Sequence, residues 1–284
     1  MRQGSDFFPV LGLQEFSEPV SNGYHLLYHE LHGERLIESP HKHDFFIIML
    51  FEKGEGKHII DFIEYDIANK QVHLLFPGQV HEWKIKENSI GYQLMISRQW
   101  FESFMPSLQF ATSYYYQTHP VFEISQSAYQ SLFYEFKAIQ QEISEQQISW
   151  DIVQTRIKLI SLLLSKSVEE KFKDFERYNA TPILSKFLTH INQYFATERS
   201  VSFYAEKLNI TANYLNIICK KTLNSSASSL IQDRLLLESK RLLKVSDLPM
   251  KDIVYSLGFY DHADFSKFFK KKTGMTPSQF KEAG

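Results

Sequence analysis

The C-terminal third of this 284-residue chain repeats itself, and the repeat constrains the fold more than any other feature of the sequence. Leu208-Asn209-Ile210, then Leu215, then Cys219-Lys220-Lys221 is echoed by Leu257-Gly258-Phe259, Phe265 and Phe269-Lys270-Lys271, at an offset of 49 to 50 residues. In each copy a short helix ends at Asn or Gly, residues that accept the left-handed conformation, and a second helix follows with an apolar face beside basic residues. That is the layout of a helix-turn-helix, whose second helix reads the major groove of DNA. One-face spacing makes Leu215, Cys219, Phe265 and Phe269 core anchors. The exposed positions between them are Asn213, Asn216, Ile217 and Lys220 in the first reading helix, and His262, Ala263, Asp264, Lys267 and Lys270 in the second. Asn can bond bidentately to adenine, Lys can bond guanine or phosphate, and Ile217 can touch a thymine methyl. Asp264 is costly against DNA unless it accepts from a cytosine amino group, and turning toward Lys267 is the alternative. From about Ala227 to Leu243 there is no internal Gly or Pro, which predicts one continuous helix joining the two units. A rigid joint of this kind would let the reading helices enter successive major grooves about 34 Å apart.

Charge follows the same division. Residues 176 to 284 hold 16 Lys plus Arg against 10 Asp plus Glu, while the remainder holds 15 against 23, so a basic third sits on an acidic body. Such a split points the C-terminal part toward a polyanion. The body reads differently. From about Tyr24 to Trp100 short apolar or alternating runs (LLYHEL, FFIIMLF, HIIDFIEYDI, VHLLF, HEWKIK, IGYQLMI) alternate with turn-forming segments, which predicts an antiparallel sandwich or barrel. From about Ser125 to Lys173 the period becomes helical, through Tyr129, Leu132, Phe133 and Phe136 and then Ile152, Ile157, Ile160, Leu163 and Leu164. These stripes suit packing on the barrel or a dimer seam.

The composition excludes several classes. With 43% hydrophobic and 15% aromatic residues the chain is not disordered or low-complexity. Its longest apolar run, Phe45 to Phe51, is far short of the roughly 20 residues a membrane-spanning helix needs. No signal-peptide pattern opens the sequence, so a cytoplasmic location with no membrane partner is expected. Cys219 is the single cysteine, which excludes an internal disulfide framework and a cysteine-based zinc cluster; a small core hydrophobe is the expected role, ahead of a redox sensor.

Residues 181 to 284 resemble the DNA-binding domain of the AraC/XylS transcription regulators, through the connector RLLLESKRLL (Arg234 to Leu243), MKDIVYSLGFYDHADFSKFFKKKTGMTP (Met250 to Pro277) and Phe280-Lys281. Two positions depart from that family: Ile217 stands where a basic residue is more usual, and Cys219 where an aromatic is. Residues from about 20 to 100 resemble the family's cupin-like sensing domain, through SPHKHDFFIIMLFEKGEG (Ser39 to Gly56) and LLFPGQVHEW (Leu74 to Trp83). In metal-binding cupins these motifs supply three His and a Glu. Here His41, His43 and His81 match the His positions, but Phe46, Ile47 and Ile48 occupy the neighbourhood of the Glu. No metal, cofactor or catalytic residue is therefore expected. His41, His43, His81 and Trp83 are instead expected to line a ligand pocket, or to serve a structural role.

These readings converge on an α+β chain in two domains. Residues 1–175 would form a cupin-like antiparallel β-barrel with two following helices, serving ligand sensing and dimerisation. Residues 176–284 would form an all-α DNA-binding domain of two helix-turn-helix units. The resemblance implies a ligand-responsive transcription regulator, more often an activator, working as a homodimer on double-stranded promoter DNA with RNA polymerase and a small-molecule effector as partners. Two other readings remain: a cupin-type metal enzyme with an appended DNA-binding domain, and a barrel that only dimerises.

Overall fold

The computed structural model describes residues 10–11, 26–32, 35–104, 113–172, 182–246 and 248–283. The N-terminal segment, read above for a signal peptide, lies largely outside them, as do residues 173–181 around the start of the basic C-terminal third. Two compact units emerge, one within Pro9–Glu176 and one within Arg177–Gly284.

The first unit is built from two five-stranded sheets. One runs β1 (Val10–Leu11), β3 (Arg35–His43), β8 (Val80–Ile85), β5 (Gly56–Ile60), β6 (Ile63–Ile67). The other runs β10 (Val121–Glu123), β7 (Gln71–Leu75), β4 (Phe46–Lys53), β9 (Ile90–Ile96), β2 (Leu26–His32). Pairing is antiparallel except between β1 and β3. Period-two alternation explains the interior: Ile47, Met49 and Phe51 of β4 join Leu75, Trp83, Ile85 and Met95 in one apolar cluster. The intervening Phe46, Ile48 and Leu50 are buried as well. Their face is covered by α3 (Gln126–Ile143), and Phe46 stacks on Phe101 of α1 (Arg98–Phe104) at 3.9 Å. A strand covered on both faces needs an unbroken apolar run, which accounts for Phe45 to Phe51.

Helix α3 starts where Ser125 accepts a hydrogen bond from the Ala128 N–H. It buries Tyr129, Leu132, Phe136 and Ile139, and Lys137 reaches Glu30 of β2 at 2.6 Å. Helix α4 (Trp150–Lys171) packs on α3 through Val153, Ile157, Ile160 and Leu164, with Arg156 and the buried Glu135 paired at 2.8 Å. The short α2 (Ser113–Thr118) joins α4 through Tyr116 and Ser165, 3.1 Å apart.

The second unit is all-helical, and the repeat seen in the sequence is a repeat of hydrogen bonds. After α5 (Pro182–Tyr194) come α6 (Val201–Lys207) and α7 (Ala212–Leu223), then the connector α8 (Ala227–Val245), then α9 (Met250–Ser256), α10 (His262–Thr273) and α11 (Pro277–Glu282). The α6–α7 and α9–α10 turns match bond for bond. Asn209 (φ 54°) and Gly258 (φ 73°) take the left-handed conformation. The next N–H, of Ile210 or Phe259, reaches back to the carbonyl of Ala205 or Val254 at 3.0 and 3.1 Å. Thr211 and Asp261 cap the reading helices, which end at left-handed Asn224 and Gly274. Ser226 and Thr276 then cap α8 and α11.

The second copy needs glycine for a further reason. A Cβ on Gly258 would lie 1.9 Å from the Ala196 carbonyl oxygen, and the Arg199 guanidinium donates to the carbonyls of Leu257 and Gly258 while stacking on Phe259. Connector α8 packs against α5 and α7 on one side and α9, α10 and α11 on the other, so both copies share one rigid axis.

Candidate functional site

Helices α7 and α10 bury the four expected anchors completely: Leu215, Cys219, Phe265 and Phe269. Burial pushes the Cys219 thiol up to about 12, and it packs as a small hydrophobe. On the opposite face Asn213, Ile217 and Lys220 are exposed, as are His262, Ala263, Asp264, Lys267 and Lys270. Tyr214, 48% exposed, belongs to this surface too and was not among the positions read from the spacing.

Asn216 departs from expectation. Its Nδ2 donates to the Ala212 carbonyl at 3.2 Å and its Oδ1 accepts from the Ala227 N–H at 3.0 Å. Both ends of the amide are engaged in holding α7 to the start of α8, which gives Asn216 a structural role that spacing did not suggest. Asp264 lies 3.8 Å from Lys267 and sits in the first turn of α10, where a carboxylate complements the helix dipole. Lys220 and Lys221 close α7, and Lys270, Lys271 and Lys272 close α10, where cations are favoured. Lys272 is drawn to Asp233 of α8 at 3.0 Å.

The barrel interior holds more imidazole than the two motifs revealed. His41 and His43 of β3, His81 of β8, His58 of β5 and His73 of β7 are all buried. Strand register makes His41 and His81 direct cross-strand partners and sets His58 opposite Trp83. Four of the rings form a continuous row. His73 Nε2 meets Gln71 Oε1 at 2.9 Å, His58 Nδ1 meets His73 Nδ1 at 2.7 Å, His81 Nδ1 meets His58 Nε2 at 3.1 Å, and His43 Nε2 meets His81 Nε2 at 2.8 Å.

The direction of this row follows from its end. Gln71 Oε1 also accepts from the Ala68 N–H at 2.9 Å, which identifies that atom as the oxygen. His73 must then carry its proton on Nε2. Burial keeps the rings neutral: His73 is pushed down to about 3, and His58 and His81 well below the ordinary histidine range. A neutral ring donates through one nitrogen only, so His58 donates from Nδ1, His81 from Nδ1 and His43 from Nε2. His41 stands beside the row. Its Nδ1–H donates to the Ser39 carbonyl at 3.1 Å, leaving an Nε2 lone pair that is buried and meets no hydrogen-bond donor among the described residues.

The four sequence-predicted barrel residues therefore do come together. His41, His43 and His81 each offer one ring nitrogen within 4.8 Å of the others, and Trp83 lies with its ring 5.2 Å from that of His81. They form part of the packed interior: all three His are at most 5% exposed and Trp83 is 8% exposed. His58 and His73 were missed because HII and VHLLF read simply as strands. Period two was the available signal, since it places Gln71, His73 and Leu75 on one face of β7.

A barrel with a row of buried histidines in its apolar interior and a twice-repeated helix-turn-helix frame are the parts of a transcription regulator that combines ligand-binding and DNA-binding domains. Residues 23–146 match the AraC-like ligand binding domain, and residues 204–283 match a helix-turn-helix domain. The chain belongs to the AraC/XylS family of transcription regulators. Among its relatives is the HTH-type transcriptional activator RhaS of Escherichia coli O81 (strain ED1a), 21% identical over 252 residues that cover 85% of this chain and 87% of the relative. Similar solved structures include unsaturated fatty acid bound ToxT of Vibrio cholerae strain SCE256, with 15% identity, a TM-score of 0.43 and coverage of 93% of this chain and 97% of that one. The C-terminal domain of AraT, a response regulator from Geobacillus stearothermophilus, is 27% identical with a TM-score of 0.35, over 37% of this chain and 87% of that one. No helix among the described residues is long and apolar enough to cross a membrane.

Proposed function

We propose that this regulator is a cytoplasmic, homodimeric, non-catalytic activator. In this reading residues 1–175 sense a small-molecule effector and dimerise, and residues 176–284 bind promoter DNA beside RNA polymerase. The observation that carries the DNA side is the bond-for-bond repeat of the helix-turn-helix frame on one rigid connector. Asn213, Tyr214, Ile217 and Lys220 would face one major groove, and His262, Ala263, Asp264, Lys267 and Lys270 the next. The activator sign takes its support from the similarity to RhaS. Dimerisation takes its support from Ile152, Leu159 and Leu162, an exposed apolar stripe on α4 opposite its buried face. An effector acts only through a difference in its affinity for two arrangements of the protein.

Footprinting on fragments of host genomic DNA at defined salt, with and without a metabolite mixture, tests the reading. Two protected regions about one helical turn apart per protomer are expected. Lys267→Ala should weaken binding to all sequences and lower the salt slope by about 1 if the side chain meets a phosphate. Absence of any selected sequence in both conditions would overturn the assignment of a double reading head.

A further inference from the structure

Connector α8 is joined by a second brace between the two helix-turn-helix copies. Helix α5 packs on α6 and α7, where Phe187 meets Tyr204 of α6 edge to face with ring centroids 5.5 Å apart. Past the C-terminal end of α5 the chain changes partners. Phe195 packs on the apolar core of the second copy, which includes Phe259, Phe265 and Phe269. The loop that follows is tied to both copies. The Glu198 carbonyl accepts from the Tyr204 hydroxyl at 2.8 Å, and Ser200 caps α6 by accepting from the Ser202 N–H. Between these two ties to the first copy, Arg199 turns the other way. Its Nη2 donates to the carbonyls of Leu257 and Gly258 at 3.0 and 2.9 Å, and its guanidinium lies 3.9 Å over the Phe259 ring. Phe259 in turn packs edge to face on Phe265, the buried anchor of reading helix α10, at 5.2 Å. The approach is close enough that a Cβ at position 258 would stand 1.9 Å from the Ala196 carbonyl oxygen.

A second attachment, made at the turn and not along α8, resists rocking of the second copy about the connector. Rocking is what a change of operator spacing demands. One added base pair moves the second half-site about 3.4 Å along the duplex and about 35° around it. We propose that Arg199 is a positioning residue for DNA recognition: by holding the turn before α10 it fixes that reading helix relative to α7, and so sets the number of base pairs the chain accepts between its two half-sites. This role rests on the double reading head proposed above and adds what selects its spacing. Arginine suits the task where lysine does not, because a planar guanidinium can stack on a ring while one of its nitrogens donates to two carbonyls.

The test uses the full-length chain and a site that it selects from random duplex DNA, rebuilt with single base pairs added to or removed from the segment between the two protected regions. The wild type should bind the altered duplexes about tenfold or more weakly, since protein or DNA must deform to fit. Arg199→Met keeps the apolar stem but donates nothing. It should compress that penalty severalfold and lower affinity for the original spacing only slightly, because the second helix is then ordered on binding. Arg199→Lys should behave like Arg199→Met. Phe259→Leu, which takes the aromatic face from under the guanidinium, should relax spacing in the same direction. Base preference within each half-site should stay as in the wild type. A uniform loss at every spacing that Arg199→Lys restores would make Arg199 a phosphate contact and overturn the proposal. So would an Arg199→Met chain that melts earlier yet keeps the wild-type spacing preference, which is the mark of a merely structural residue. Failure of the wild type to select any sequence removes the double reading head and this role with it, whereas selection by the wild type with an unchanged preference in Arg199→Met removes this role alone.

Discussion

At the scale of single residues, the two left-handed glycines of the DNA-binding unit separate two costs that usually travel together. A Cβ on Gly274 would meet nothing within 4 Å, so Gly274→Ala carries only the left-handed penalty of about 1 kcal/mol. Gly258→Ala adds a collision with the Ala196 carbonyl and disturbs the Arg199 clamp, and at least about 2 kcal/mol should be lost. Chemical denaturation of the two variants measures the difference. Asn216→Ala should cost about 1 kcal/mol of stability, through the orphaned Ala227 N–H, while base preference in a footprint stays as in the wild type. Sequence spacing showed that Asn216 lies between anchors. Its partner is eleven residues away at the start of another helix, and only folding brings that N–H to it.

At the scale of elements, α4 presents apolar residues on two faces. Ile157, Ile160 and Leu164 are fully buried against the rest of the first unit, whereas Ile152, Leu159 and Leu162 are between 41% and 48% exposed. Leu162→Asp should therefore dissociate the proposed dimer in sedimentation experiments while leaving circular dichroism unchanged. Leu164→Asp should unfold the unit, because it buries an unpaired charge. Periodicity found this helix but merged Ile152 with Ile157 and Ile160, since a helix apolar on both sides has no single stripe to detect. The strands were legible for the opposite reason: alternation and turn residues mark them locally, and the cap and turn residues of both helix-turn-helix copies do the same. The histidine row was not legible. It joins four rings from four strands in two sheets, and that register exists only once the sheets pair.

At the scale of the whole molecule, the buried histidines set how the barrel responds to acid. His58, His73 and His81 stay neutral in the fold but take up protons near pH 6.5 once unfolded. The unfolded chain thus binds more protons below that pH, and folding stability falls as pH drops from about 6.5, continuing to about 3 for His73. Each such histidine contributes a slope of about 1.4 kcal/mol per pH unit. Calorimetry of the full-length chain between neutral and acidic pH should show the barrel transition falling steeply, and replacing His73 with Phe should make that fall shallower.

The Ala68 N–H that orients Gln71 has an electrical consequence. A row of neutral imidazoles with unanchored ends has two equivalent proton orders, as water has in ice, and averages to no polarity along its length. Anchoring one end removes that degeneracy. Every N–H in the row from His43 to His73 then points toward Gln71, and the local dipoles add instead of cancelling. The barrel interior is therefore polarised, with its electron-rich end at His43 beside His41, and a single backbone amide more than 20 residues away in sequence fixes the sign.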